Sequence, residues 1–318
     1  MAVAGALLFG ISGIVPAAGG PFGERCEYVE AGAPGPKGNR LVVVGAVEPW
    51  LVRRGNAILV HDPTVHCTGR QATVHNVDRV VLRVEDSRVS LSERRGDFAP
   101  GATSEHSGSE IEVDVYRASK LTVYGGRQRN SMRIGTRANG SVALNLNPVA
   151  DSGAPDQDVT VRSDEFKAVK LYGEQGDDLI DARRLTGIGD NVYLTSRIRL
   201  IGGAGDDTIL GGIEEEEFED GPGDDLINAG GGDDAIAFGP GHDTVYGGLG
   251  RDGLFYEFIG LGKRSPDVPD RLYGGPGADI LSDRNGQADQ IRCGSGVDEV
   301  ERESHDRLGP GCERYRRR

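Results

Sequence analysis

Between Gly202 and Phe255 one apolar side chain returns every nine residues: Ile209, Phe218, Ile227, Ile236, Val245 and Leu254. Each ends a block with the next starting at once: GGAGDDTIL, GGIEEEEFE, DGPGDDLIN, AGGGDDAIA, FGPGHDTVY and GGLGRDGLF. An apolar residue between two outward positions is a short strand with one face buried. The glycines before it allow the positive φ of a tight turn and let one backbone lie close against the next. The pattern predicts an array of strand-and-turn units, each burying a single side chain.

From Arg40 to Lys170 the pattern is β without the period. RLVVVGAV, NAILVHD, DRVVLRVED, SRVSLS, IEVDVY, KLTVYGG, SVALNLN and QDVTVRS alternate or run β-branched, with Gly, Asn, Pro and Ser between them. No helix of convincing length is present. LTVYGG and VKLYGE resemble the start of the later blocks, so residues 25–170 read as an irregular stretch of the same solenoid. A separate small β-sandwich is the alternative.

The sixth position of the blocks adds chemistry. It holds Asp207, Asp225, Asp234, Asp243 and Asp252. Carboxylates and turn carbonyls are hard oxygen ligands. Calcium takes six to eight of them in a forgiving geometry, whereas magnesium demands a stricter octahedron. Zinc prefers nitrogen or sulfur, and His242 is the one such ligand in the six blocks. A disordered acidic linker is the competing reading, but it has no reason to keep an apolar residue at every eighth position.

The blocks resemble the G-G-x-G-x-D-x-U-x repeat of RTX (repeats-in-toxin) proteins. That resemblance implies an all-β, right-handed parallel β-roll in which two blocks make an 18-residue coil. The turn at Gly202 would stack on those at Asp220 and Phe238, and the turn at Gly211 on those at Ala229 and Gly247. Calcium would lie between stacked turns. The implied side-chain ligands are Asp207, Asp225, Asp234, Asp243 and Asp252, with Asp178 from GEQGDDLID upstream and Asp279 from GGPGADILS downstream. The implied carbonyl ligands are Gly203, Gly205, Gly221, Gly223, Gly230, Gly232, Gly239, Gly241, Gly248 and Gly250.

Departures from the pattern carry their own expectations. GGIEEEEFE puts Glu216 where aspartate stands elsewhere, so its coil should persist with a weak or lost calcium site. The 18 residues from Tyr256 to Tyr273 keep phase, with Asp270 sixth and Leu272 eighth in SPDVPDRLY, and read as two disguised rungs. CGSGVDEVE, with Asp298 and Val300, is one residue out of phase. These breaks lower the firm expectation to three or four calcium ions.

Charge agrees with a cation ligand. The chain has 318 residues and formal charge −14, and residues 170–299 hold about 27 Asp and Glu against about 11 Lys and Arg. Such a surface repels nucleic acid. Carboxylates packed in a roll repel one another, and calcium offsets that repulsion.

The start, MAVAGALLFGISGIVPAAGG, is apolar and uncharged and ends in small residues, which predicts a secretory leader over 1–18 with no membrane span after its removal. Four cysteines follow it. Proximity suggests Cys26–Cys67 and Cys293–Cys312, while other connectivities stay open. Bridges belong in an oxidising compartment, so the expected location is extracellular or the cell surface.

The tail ADQIRCGSGVDEVERESHDRLGPGCERYRRR, with paired Cys293 and Cys312 and an arginine-rich end, resembles exported calcium-binding proteins of high-GC bacteria. That likeness implies calcium binding and export but no reaction.

Catalytic patterns are missing: no HExxH, no GxSxG, no Walker loop. The polar cluster His61, Asp62, His66, Cys67 and His75 reads as a loop around a disulfide, since zinc spacing is absent. Trp50 is the one tryptophan and aromatics are 6%, a poor sugar platform. The expected organisation is therefore a leader, a β-rich segment over 25–170, a calcium-binding roll over 171–301 and a disulfide-tied basic tail over 302–318. The expected protein is a monomer that folds on calcium and serves a structural or surface role. The arginines at 314 and 316–318 could meet cell-envelope polymers. A calcium-stabilised enzyme on polysaccharide, its site within 40–170, is the alternative.

Overall fold

The computed structural model describes residues 25–30, 39–54, 56–62, 65–68, 70–73, 77–92, 112–136, 141–146, 159–163, 166–184, 198–257, 268–312 and 314–316. The expected leader, 1–18, lies outside them. The described residues hold no helix. They form two sheets, one of 15 strands and one of 12, with most neighbours parallel. The chain is a β-solenoid, as the period predicts.

Each block supplies one short strand, and successive strands alternate between the two sheets. On the larger sheet Thr208–Leu210 pairs with Leu226–Gly231, which pairs with Thr244–Leu249. On the smaller sheet Glu216–Glu219 pairs with Ala235–Phe238, which pairs with Gly253–Tyr256. Within this stretch the register advances 18 residues per coil. The Glu-rich block keeps its coil, since its strand is paired on both sides.

The apolar eighth positions meet between the sheets in two columns. Ile180, Ile209, Ile227, Val245, Leu272 and Ile291 follow one another on the larger sheet. Leu200, Phe218, Ile236, Leu254, Leu281 and Val300 do so on the smaller. All are buried. Burying such a side chain stabilises by about 1.5–3 kcal/mol, so a core this thin leaves much to the turns.

The same sheets continue into the first half. On the smaller sheet the column extends back through Leu171, Val123, Leu91 and Leu51 without changing sheet. Tyr124 pairs with Tyr172, which aligns the two segments whose likeness the sequence showed. All eight β segments read from Arg40 to Ser163 contain a strand. Four strands there were not singled out: Arg25–Val29, Trp50–Arg54, Cys67–Thr68 and Ser131–Thr136.

Two features depart from a uniform parallel roll. The first rungs are closed by antiparallel strands: Arg25–Val29 against Arg40–Ala46, and Ala57–His61 against Trp50–Arg54. Val142–Asn145 also runs antiparallel between Ser131–Thr136 and Val159–Arg162. Such closure covers the exposed sheet edge that a solenoid end otherwise presents.

The stretch after Phe255 corrects the expectation of two disguised rungs. Thr244 pairs with Arg271 and Gly253 with Ile280, an advance of 27 residues instead of 18. Tyr256 to Tyr273 thus contributes one rung, Arg271–Gly277, and the other nine residues add none to the ladder. The next coil advances 19 residues, from Arg271 to Gln290, which accounts for the shifted phase of CGSGVDEVE.

The disulfides are Cys26–Cys67 and Cys293–Cys312. The first joins residues that are direct register partners at the N-terminal edge of the larger sheet. The second ties the last coils together.

Candidate metal centre

The turns between strands place an aspartate just before each strand, and these aspartates form two buried ladders. Before the larger sheet stand Asp178, Asp207, Asp225, Asp243, Asp270, Asp289 and Asp306. Before the smaller stand Glu216, Asp234, Asp252, Asp279 and Asp298. All have relative exposures of 8% or less. Along each ladder the backbone N–H of one acid donates to a carboxylate oxygen of the next. Asp178 donates to Asp207 at 2.7 Å, Asp207 to Asp225 at 2.6 Å and Asp225 to Asp243 at 2.9 Å. Asp234 donates to Asp252 at 3.0 Å and Asp252 to Asp279 at 2.9 Å. The sixth-position aspartate is thus a structural acceptor as well as a charge.

One oxygen of each side chain is consumed in this way. The other, Oδ2, is buried without a hydrogen-bond partner in Asp178, Asp207, Asp225, Asp234, Asp243, Asp252 and Asp279. A native fold rarely buries so many orphaned acceptors. Space is kept for them: a Cβ on Gly247 would lie 2.7 Å from Asp252 Oδ2, and one on Gly274 2.6 Å from Asp279 Oδ2.

The turn glycines stack one coil apart. The Gly203 carbonyl faces Gly221, whose carbonyl faces Gly239; Gly205 stands to Gly223 as Gly223 does to Gly241. On the other side Gly230 is followed by Gly248, and Gly232 by Gly250. Gly221, with φ 108°, needs the left-handed region, and a Cβ there would run into the Gly203 carbonyl oxygen. The structure therefore brings together every aspartate and glycine read from the sequence, in two columns flanking the sheets.

Burial raises the carboxyl pKa values, and neighbouring carboxylates add to the shift. Asp207, Asp234 and Asp279 are each pushed up to about 7. Asp178 rises to about 6 and Glu216 to about 8. Asp225, Asp243 and Asp220 are pushed up by burial and by the acids beside them. Unpartnered buried oxygens and mutual repulsion both call for a cation. The donors are all hard oxygens, which suits calcium and disfavours zinc.

Sequence reading left out several acids. Asp270 and Asp298 had been placed in frame but not assigned. Asp289 and Asp306 follow coils whose length is no multiple of nine. Asp220 stands first in its block, where Gly202 and Gly211 stand in the two blocks before it. It is fully buried and accepts the amides of Gly221 at 2.6 Å and Gly239 at 2.8 Å. Asp220, Asp225 and Asp243 form one three-carboxylate group; Asp270, Asp283 and Asp289 form another. Asn130 precedes Asp178 and donates to it through its backbone N–H at 2.5 Å. The larger-sheet ladder thus begins, at the junction with the first half, on an uncharged residue.

Glu216 keeps its place but not its chemistry. Its amide donates to Asp234 at 2.9 Å, while its longer side chain turns both oxygens onto the Gly212 amide at 3.3 and 3.4 Å.

The polar cluster in the first half is a closed loop. Asp62 accepts the amides of Val47, Glu48 and Val65, and Cys67 is bonded to Cys26. His75 lies outside the described residues.

No curated protein and no solved structure matches the chain. Residues 199–213, 221–254 and 269–287 match the RTX calcium-binding nonapeptide repeat. With the period, the paired aspartate ladders and the stacked glycine turns already in place, the stretch 199–287 carries four copies of the RTX calcium-binding nonapeptide repeat.

Proposed function

We propose that this is an exported structural or surface-associated protein whose repeat roll folds on calcium. The observation that carries the reading is the double ladder of buried carboxylates, each with one oxygen committed to the backbone and the other unpartnered. In that assignment Oδ2 of Asp178, Asp207, Asp225, Asp234, Asp243, Asp252 and Asp279 faces the ion. The carbonyls of Gly203, Gly205, Gly221, Gly223, Gly230, Gly232, Gly239, Gly241, Gly248 and Gly250 complete the shells. Three or four ions fill the uninterrupted run. The turn at Glu216 binds weakly, because its carboxylate is spent on Gly212.

Calcium supplies what the chain lacks. Buried carboxylates without a counter-ion are costly, so the metal-free roll is destabilised and ion binding becomes folding energy. Extracellular modules bind calcium with dissociation constants of about 10⁻⁴–10⁻³ M, and the same range is expected here. Two disulfides support an oxidising, extracellular setting. Among the described residues no helix is long and apolar enough to cross a membrane. The output of such a protein is a rigid rod present when calcium is present, and no reaction is assigned to it.

Far-UV circular dichroism with chelator and with about 5 mM calcium tests the coupling. A strand signal that grows on calcium addition supports it. A strand-rich spectrum unchanged by chelator sinks it.

A further inference from the structure

The acid Asp283 is not explained by the nonapeptide pattern. It opens the turn between Ile280–Ser282 and Gln290–Gly296, and it has no measurable exposure. Neither of its carboxylate oxygens has a hydrogen-bond partner. Asp220, the comparable acid one group earlier, is held by two backbone amides; Asp283 has none. Asp289 contributes a further unpartnered oxygen, Oδ2, beside it.

The surroundings supply no compensating charge. Asp270 is the third carboxylate, and its Oδ2 is positioned by the side-chain amide of Asn285 at 2.9 Å. Arg284, the adjacent cation, is exposed and reaches toward Glu301 at 4.0 Å. An isolated buried carboxylate costs many kcal/mol, and three in contact cost more, so the group must hold a cation or share a proton.

We propose that Asp270, Asp283 and Asp289 together bind a calcium ion through their side chains, at a site the repeat pattern does not contain. One ligand oxygen from each lies within 4.8 Å of the others. Calcium–oxygen distances of about 2.3–2.6 Å span oxygen pairs up to about 5 Å apart, so one ion reaches all three. The all-oxygen set in an irregular turn suits calcium better than the strict octahedron of magnesium. The site sits just past the 27-residue coil, where the regular succession of glycine turns is interrupted. It would pin the coil that follows the interruption.

This site deepens the calcium reading of the repeats and rests on it. The test is calcium stoichiometry of the full chain, by equilibrium dialysis against radiolabelled calcium, for wild type and Asp283→Asn. The expected result is one ion fewer per chain in the variant, with the repeat ions retained. Equal stoichiometry in both, with wild type loaded, overturns the proposal in favour of a shared proton and leaves the repeat sites standing. Wild type that binds no calcium overturns both readings. Should Asp283→Asn fail to fold, a wild-type crystal grown in calcium decides without any substitution. An ion among the three carboxylates supports the site; loaded repeat turns with none there overturn it.

Discussion

The amide of Asp225 donates to the carboxylate of Asp243, 18 residues further along the chain, at 2.9 Å. That bond makes the repeat aspartate a register pin. It fixes one turn over the next before any ion is considered, and it leaves Oδ2 for the ion. Structure and ion binding therefore use different oxygens of the same side chain, and substitutions can separate them.

Asp225→Asn keeps an oxygen to accept the Asp207 amide and removes the charge. The metal-free variant should melt at or above the temperature of metal-free wild type, because a source of repulsion is gone, yet bind fewer calcium ions. Asp225→Ala should also strand the Asp207 amide, at a cost of about 1–3 kcal/mol. Asp234→Asn and Asp234→Ala should repeat the contrast on the opposite ladder, where Asp234 accepts the Glu216 amide. Thermal melts with and without calcium, paired with calcium counting, check this. Unchanged calcium stoichiometry in both asparagine variants would show that these side chains are not ligands.

Acid should stabilise the metal-free roll. Burial raises Asp207, Asp234 and Asp279 to about 7, well above the ordinary carboxyl value near 3.8. A carboxyl whose folded pKa is raised stabilises the fold fully below its unfolded pKa, and that contribution is lost as pH rises through the folded value. The window is therefore about pH 4 to 7, extending to about 8 for Glu216. Calcium-free protein should show more strand signal at pH 5.5 than at pH 8, and calcium should restore the difference at pH 8. Calcium affinity should fall over the same interval as protons compete for the carboxylates. A calcium-free roll that is better ordered at pH 8 than at pH 5.5 contradicts this.

The period made the roll legible because each coil repeats one physical requirement: an apolar residue inward, a glycine turn, an acceptor at the sixth place. Ile209, Ile227 and Val245 could be stacked from the sequence alone, as could Asp225 over Asp207. The 27-residue coil could not. Nine residues that add no rung leave the phase intact, so Asp270 keeps its place whether Tyr256–Tyr273 builds two rungs or one. Only the pairing of Thr244 with Arg271 distinguishes the two. Asp289 was hidden for the opposite reason, since the 19-residue coil shifts the frame that would have exposed it. Asp283 gave no signal at all. A lone acid in a turn looks solvated in sequence, and its burial depends on the coils on either side. In the first half the segments were legible as strands, but their antiparallel closures were not. Alternation reports which face is buried and is silent on strand direction.

Stacked turns should tolerate no side chain at Gly221. Its φ of 108° lies where residues other than glycine are strained, and a Cβ would drive into the Gly203 carbonyl oxygen of the coil below. Gly286 provides the control. Its φ of 87° is also positive, but a Cβ there meets nothing within 4 Å. Both alanine variants carry the backbone strain of about 1–3 kcal/mol. Gly221→Ala adds a backbone collision that cannot relax without separating two coils, and it tilts a carbonyl column assigned to calcium. In saturating calcium, Gly286→Ala should therefore lose only a few degrees of melting temperature. Gly221→Ala should lose considerably more and need more calcium to reach its folding midpoint. Equal losses, with equal calcium midpoints, would mean that close stacking of the glycine turns contributes nothing beyond the conformation of each turn.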